Sequence, residues 1–149
     1  MTDELRAVFT DRPFVIQAFQ ARVQSEGEFS LFFFAGRYSH AVRKLPANAD
    51  FRVQEQYGAH IVACEPGQGS LVAAEAIIGL GAPTPVYARI DLVRGNTGKP
   101  LLMELELIEP SFYVTTDPAT VALFADRFTN WLRRRDLVGG LVADPGGER

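Results

Sequence analysis

Two alternating stretches constrain this chain more than any other feature. Tyr87-Ala-Arg-Ile-Asp-Leu-Val93 and Leu101-Leu-Met-Glu-Leu-Glu-Leu-Ile-Glu-Pro110 flank the segment Arg94-Gly-Asn-Thr-Gly-Lys-Pro100. Apolar and polar residues alternate in both halves, the period of a strand with one buried face. The spacer has the Gly, Asn and Pro chemistry of a hairpin loop. With Arg94 opposite Leu101, Asp91 falls opposite Glu104 and Arg89 opposite Glu106, and all four side chains leave one face of the ribbon. Carboxylates directly opposite one another destabilise a sheet. Such a pair needs a cation, so the pattern reads as an acidic cation site beside Arg89. Mutual repulsion is expected to raise at least one carboxylate pKa in the cluster Asp91, Glu104 and Glu106.

The order Arg-x-Asp, then thirteen residues from Asp91 to Glu104, then Glu-x-Glu-x-x-x-Pro, resembles the metal-binding end of ATP-grasp ligases such as glutathione synthetase and D-alanine–D-alanine ligase. Members usually read Glu-x-Asn here. Glu106 in place of that Asn resembles the group that includes the D-cycloserine-forming ligases. The resemblance runs from about Phe14 to Pro110, the C-terminal half of an ATP-grasp enzyme. It implies an α+β fold, an antiparallel sheet backed by helices. It also implies ATP-dependent carboxylate–amine ligation through an acyl phosphate, with ATP and Mg²⁺ (or Mn²⁺) as cofactors.

The resemblance distributes roles along the chain. Gln17, Ala18 and Phe19 would receive adenine, at the end of a buried strand Phe14–Phe19. Glu28 would accept the ribose hydroxyls, for which a carboxylate has the capacity. Lys44 and, eight residues on, Arg52 would hold phosphate and developing acyl phosphate, and Arg89 would neutralise the reacting carboxylate or the transferred phosphoryl group. Fixed cations around a moving phosphoryl group are where such chemistry gains most. Asp91, Glu104 and Glu106 would hold one or two metal ions. Gln54 and Gly58-Ala59 depart from the family's Asn and Gly-Gly. No upstream lysine pair or glycine-rich flap precedes Gln17, so the isolated chain is expected not to complete a ligase cycle and to need an N-terminal half as partner. A non-catalytic module that binds a nucleotide or a partner protein is the alternative.

Elsewhere the reading is structural. Residues 2–9 suit a short helix capped by Thr2, with Leu5, Val8 and Phe9 inward, ended by Arg12-Pro13. Ser25–Glu28 reads as a turn, Phe29–Phe34 and Tyr38–Leu45 as a hairpin, and His60–Cys64 as a strand that buries Cys64. Ser70 caps a core helix over Leu71–Leu80, stopped by Gly81. Asp117-Pro118 starts a last helix with Val121, Phe124, Phe128, Trp131 and Leu132 on one face and Arg133–Arg135 at its end. The reading is one domain over residues 1–136 and a loose tail over 137–149.

A net charge of −3 gives no reason to invoke nucleic acid or an anionic membrane. No apolar run approaches the roughly 20 residues of a membrane span. One cysteine permits no intrachain disulfide and suits a reducing cytoplasm. The apolar strands near the N-terminus are expected to leave an exposed patch and to permit a homo-oligomer. The substrates would be small carboxylate and amine molecules, whose identities the residues do not specify.

Overall fold

The computed structural model describes residues 2–10, 13–47, 50–81 and 83–134. The expected tail over 137–149, together with Arg12 and Arg135, lies outside these residues. Five strands form one sheet: β1 (Glu28–Phe34), β2 (Arg37–Leu45), β3 (His60–Cys64), β4 (Tyr87–Arg94) and β5 (Pro100–Glu106). Their spatial order is β3-β2-β1-β4-β5, with antiparallel neighbours throughout. Helices α1 (Asp3–Val8), α2 (Arg22–Glu26), α3 (Gln68–Gly79) and α4 (Ala119–Arg134) complete an α+β fold.

Strand periodicity gives the sheet two different faces. Leu31, Phe33, Ala41, Ala88, Ile90 and Leu92 share one face and pack with Ala74, Leu71, Ile77 and Ile78 of α3. Burial of this apolar face is the main driving force for the sheet, at about 25 cal/mol per Å² removed from water. The opposite face changes character along its length. At one end Phe34 stands in edge contact with Phe112 and with Phe124 of α4, at centroid distances of 5.3 and 4.9 Å. At the other end the inward residues are Glu28, Ser30, Lys44, Arg89 and Asp91, all buried.

The β4–β5 hairpin brings Asp91 opposite Glu104 and Arg89 opposite Glu106, as the alternation requires. Its starting point differs by one residue, because Arg94 pairs with Pro100 and Val93 with Leu101. A β-bulge between Asp91 and Leu92 absorbs the difference, with Met103 as the extra residue on β5. The turn residues showed that a hairpin exists; the bulge sets the register beyond it.

Several expectations are corrected. Phe14–Phe19 is neither a strand nor buried: it has no ladder, and Val15 and Ile16 are 90% and 69% exposed. An apolar run becomes a buried strand only when a sheet edge and a covering layer meet it, and neither does here. Ser25–Glu28 is not a simple turn, since Arg22–Glu26 closes one helical turn and a bit before Gly27. Val8 is exposed on a helix of only six residues, and the side chain of Leu5 lies outside those described. Gly67, not Ser70, stands at the N-cap of α3, and Ser70 lies inside the helix. That helix ends at Gly79, before the expected stop, and buries only Ala74 fully, with Val72 and Leu80 outward. Cys64 is half-buried, being on the edge strand β3. On α4, Val121 is 54% exposed, while Phe124 sits among the rings of Phe34, Phe112 and Phe128.

Candidate functional site

Strand pairing alone brings the charged residues together. Glu28 of β1 pairs with Lys44 of β2, Ser30 lies between Val42 and Asp91, and Asp91 pairs with Glu104 of β5. Lys44 Nζ donates to Glu28 Oε1 at 3.0 Å and to Asp91 Oδ2 at 2.9 Å. Arg89 Nε donates to both oxygens of Asp91 at 3.1 Å. Its Nη2 reaches Glu104 Oε2 at 2.9 Å and Glu106 Oε2 at 2.5 Å. Two cations thus hold four carboxylates in one chain of ion pairs.

Burial makes this network consequential. The Lys44 and Asp91 side chains are 7% and 2% exposed, where breaking one partner leaves an uncompensated charge at about 3–5 kcal/mol. Burial by itself would raise the Asp91 pKa; Lys44 and Arg89 outweigh it and hold Asp91 below the usual carboxylate range. Burial dominates at Glu28 and raises its pKa against the pull of Lys44. Burial opposes the charge on Lys44 as well, but Asp91 and Glu28 raise its pKa overall. The expected rise from mutual repulsion is therefore corrected at Asp91. Arg89 is not the lone cation there, because Lys44 reaches across β1.

The network floors a pocket of about 270 Å³ whose walls include Val53, Gln54, Glu55, Ser111 and Tyr113. A second hollow of about 300 Å³ adjoins it, lined by Gln17, Ala18, Phe19, Phe51, Val93 and Met103 among others. Glu28, Val53 and Gln54 line both. The result is a continuous cleft, apolar at one end and charged at the other, with Glu28 at the junction. Arg52 lies at the apolar end. It forms a paired contact with Asp50, 2.7 Å from Nη2 to Oδ2, and stands 3.8 Å over the ring of Tyr57.

No family profile matches the sequence. The cycloserine biosynthesis protein DcsG of Streptomyces lavendulae is 33% identical over 129 residues, covering 80% of this chain and 42% of DcsG. The crystal structure of D-cycloserine synthetase DcsG superposes with a TM-score of 0.65 at 32% identity, over 78% of this chain and 41% of that one. The chain is a relative of the ATP-grasp ligases. A D-alanine–D-alanine ligase from Bacillus anthracis, in complex with ATP, shares the fold at 18% identity, with a TM-score of 0.51 over 73% of this chain and 39% of the ligase. The chain spans about two fifths of the length of these ATP-grasp relatives.

Within this ATP-grasp fold, Glu28, Lys44, Arg89, Asp91 and Glu104 line one pocket, Glu106 joins them through its ion pair with Arg89, and Gln17, Ala18, Phe19 and Arg52 line the adjoining hollow. Several residues in or beside the site carry no role in the sequence reading, Ser30, Met103 and Tyr113 among them. Ser30 was detectable as the one polar side chain within an apolar strand, since its neighbours on that face point to a polar environment. Met103 reaches the cleft through the bulge, and Tyr113 through a loop conformation; neither leaves a trace in periodicity.

The implied Mg²⁺ can be tested against the donors present. Asp91, Glu104 and Glu106 offer hard carboxylate oxygens on one face of the β4–β5 ribbon, the donor type that Mg²⁺ prefers. In the described state these oxygens face Lys44 and Arg89. Among the described residues no three His, Cys, Asp or Glu side chains form a ready-made ion cage. The donor set fits an ion that arrives with anionic oxygens of its own, because those oxygens can draw the two cations away.

Proposed function

We propose that this cleft binds Mg-ATP and forms the nucleotide- and metal-binding part of an ATP-dependent carboxylate–amine ligase that works through an acyl phosphate. The continuity of the apolar and charged hollows at Glu28 carries the reading. An adenine has room beside Gln17, Ala18 and Phe19, with backbone groups available to its edge. The ribose then falls at Glu28 and the phosphates at Lys44 and Arg89.

Lys44 and Arg89 are fixed in advance by strand pairing, so they cost little reorganisation when charge develops on a transferring group. On binding, they would exchange carboxylate partners for phosphate oxygens. That exchange frees Asp91, Glu104 and Glu106 to hold Mg²⁺ or Mn²⁺. The bound ion would neutralise phosphate charge and keep the nucleotide in place. Arg52, beside the apolar hollow, is poised over Tyr57 rather than in the charged pocket. Its role on the acyl phosphate requires loop 50–57 to move, and the reading assigns it there only in the loaded state. The substrate carboxylate and amine, and the further segment that would complete their site, belong to the same proposal.

Calorimetry with Mn-ATP and Mn²⁺ alone tests it. Wild type is expected to bind Mn-ATP and to bind the ion alone far more weakly, since Mg²⁺-type sites share their ligands with phosphates. Asp91→Asn should weaken Mn-ATP binding at least tenfold. Flat isotherms for wild type would end this assignment.

A further inference from the structure

Tyr113 lies in the left-handed region at φ +48°, ψ +37°. An aromatic residue in that conformation carries strain of about 1–3 kcal/mol unless its surroundings enforce it. The enforcement is visible on both sides of the residue. His40 Nε2 donates to the Phe112 carbonyl at 2.8 Å, the tautomer following from that acceptor. His40 is itself stacked on Phe32 with ring centroids 4.4 Å apart. The Phe112 ring is seated among Phe34, Tyr87 and Phe124. On the C-terminal side, the Tyr113 carbonyl accepts from Thr116 N at 2.9 Å and from Thr116 Oγ1 at 2.7 Å.

Those contacts turn the Tyr113 side chain into the charged pocket. There it joins the walls with Lys44, Arg89, Asp91 and Glu104, its ring 6.2 Å from that of Phe32. Among the described residues its hydroxyl has no hydrogen-bond partner. A strained residue held from both sides, with a free donor beside two cations, has the marks of a binding group rather than of a packing one. From this geometry we infer that Tyr113 is a ligand-contact residue whose hydroxyl donates to a phosphate oxygen held by Lys44 and Arg89. The inference rests on the nucleotide reading of the cleft. His40 is then a positioning residue, because it acts through the Phe112 carbonyl and not on the ligand.

The test compares the full 149-residue wild type with Tyr113→Phe, titrated with Mg-ATP and with adenosine. The substitution keeps the ring, the backbone conformation and the contact with Phe32. Its thermal midpoint should match wild type. Mg-ATP affinity should fall about three- to tenfold, the range of one lost hydrogen bond, while adenosine affinity stays unchanged. Equal Mg-ATP affinity in the two chains, or an equal loss for adenosine, would overturn the inference and leave the nucleotide reading standing. Absence of Mg-ATP binding by wild type would overturn both.

Discussion

At the scale of single residues, the cleft is governed by buried groups whose charges depend on one another. His40 shows a simpler dependence. Burial pushes its imidazole below the ordinary value, against the pull of the Phe112 carbonyl and of Asp117. Its folded pKa therefore lies below its unfolded value of about 6.5. Between the two, the unfolded chain binds a proton that the folded chain does not, so stability falls as pH drops through that window. Asp91, with a depressed folded pKa, loses its contribution only as pH falls below about 4. Glu28 has the opposite sign: its pKa is raised, and its contribution declines as pH rises through the folded value. The His40 contribution to the stability of wild type in urea unfolding should therefore fall from pH 7 to pH 5, with Glu28 acting the other way. In His40→Asn that slope should flatten, whatever the variant's absolute stability. An unchanged slope would show that His40 titrates normally.

Among elements, the β4–β5 hairpin does most to assemble the site, and its bulge is the device that matters. Met103 is the residue without a partner in the ladder. Removing it joins Leu102 directly to Glu104 and leaves Asp91–Glu104 and Arg89–Glu106 paired as before. Deletion of Met103 should thus preserve the fold within about 1 kcal/mol and weaken nucleotide binding by uncovering the apolar hollow. Deletion of Leu105 should behave differently. It moves Glu106 one position, toward the face covered by α3, and takes it from Arg89. Loss of about 1–3 kcal/mol is expected. Denaturant midpoints of the two deletions check this; equal midpoints would mean that register past the bulge is loose.

Over the whole molecule, the notable feature is apolar surface without a cover. Phe14, Val15, Ile16 and Phe19 lie open near one side of the cleft, and Leu101, Leu102, Met103 and Leu105 of the edge strand β5 are each 40–49% exposed. An edge strand with unpaired backbone groups and apolar side chains invites pairing with another chain. The 149-residue chain is expected to self-associate at micromolar concentration. Leu105→Lys should shift it toward monomer without lowering its melting midpoint. Light scattering that shows a monomer for wild type at all concentrations would refute this. Among the described residues no helix is long and apolar enough to cross a membrane.

What the sequence by itself determined is local and periodic. Alternation over 87–93 and 101–106 placed Arg89, Asp91, Glu104 and Glu106 on one face, because side chains in a strand change sides at every step. Apolar runs bounded by turn residues located β1, β2 and β3, cap and stop residues pointed to α3, and helical spacing located α4. The order of charged motifs carried the ATP-grasp resemblance. Tertiary structure decided the rest. Periodicity has no term for a neighbour two strands away, so the bridge from Lys44 to Asp91 across β1 could not be read from it. That bridge helps hold the Asp91 pKa down, so the rise expected somewhere in the carboxylate cluster does not fall on Asp91. Burial of Phe14–Phe19 failed for the same reason, since hydrophobicity states a preference and only packing supplies the partner. Tyr113 is the extreme case: its conformation is imposed by His40, Phe112 and Thr116, and none of that constraint is encoded at position 113 alone.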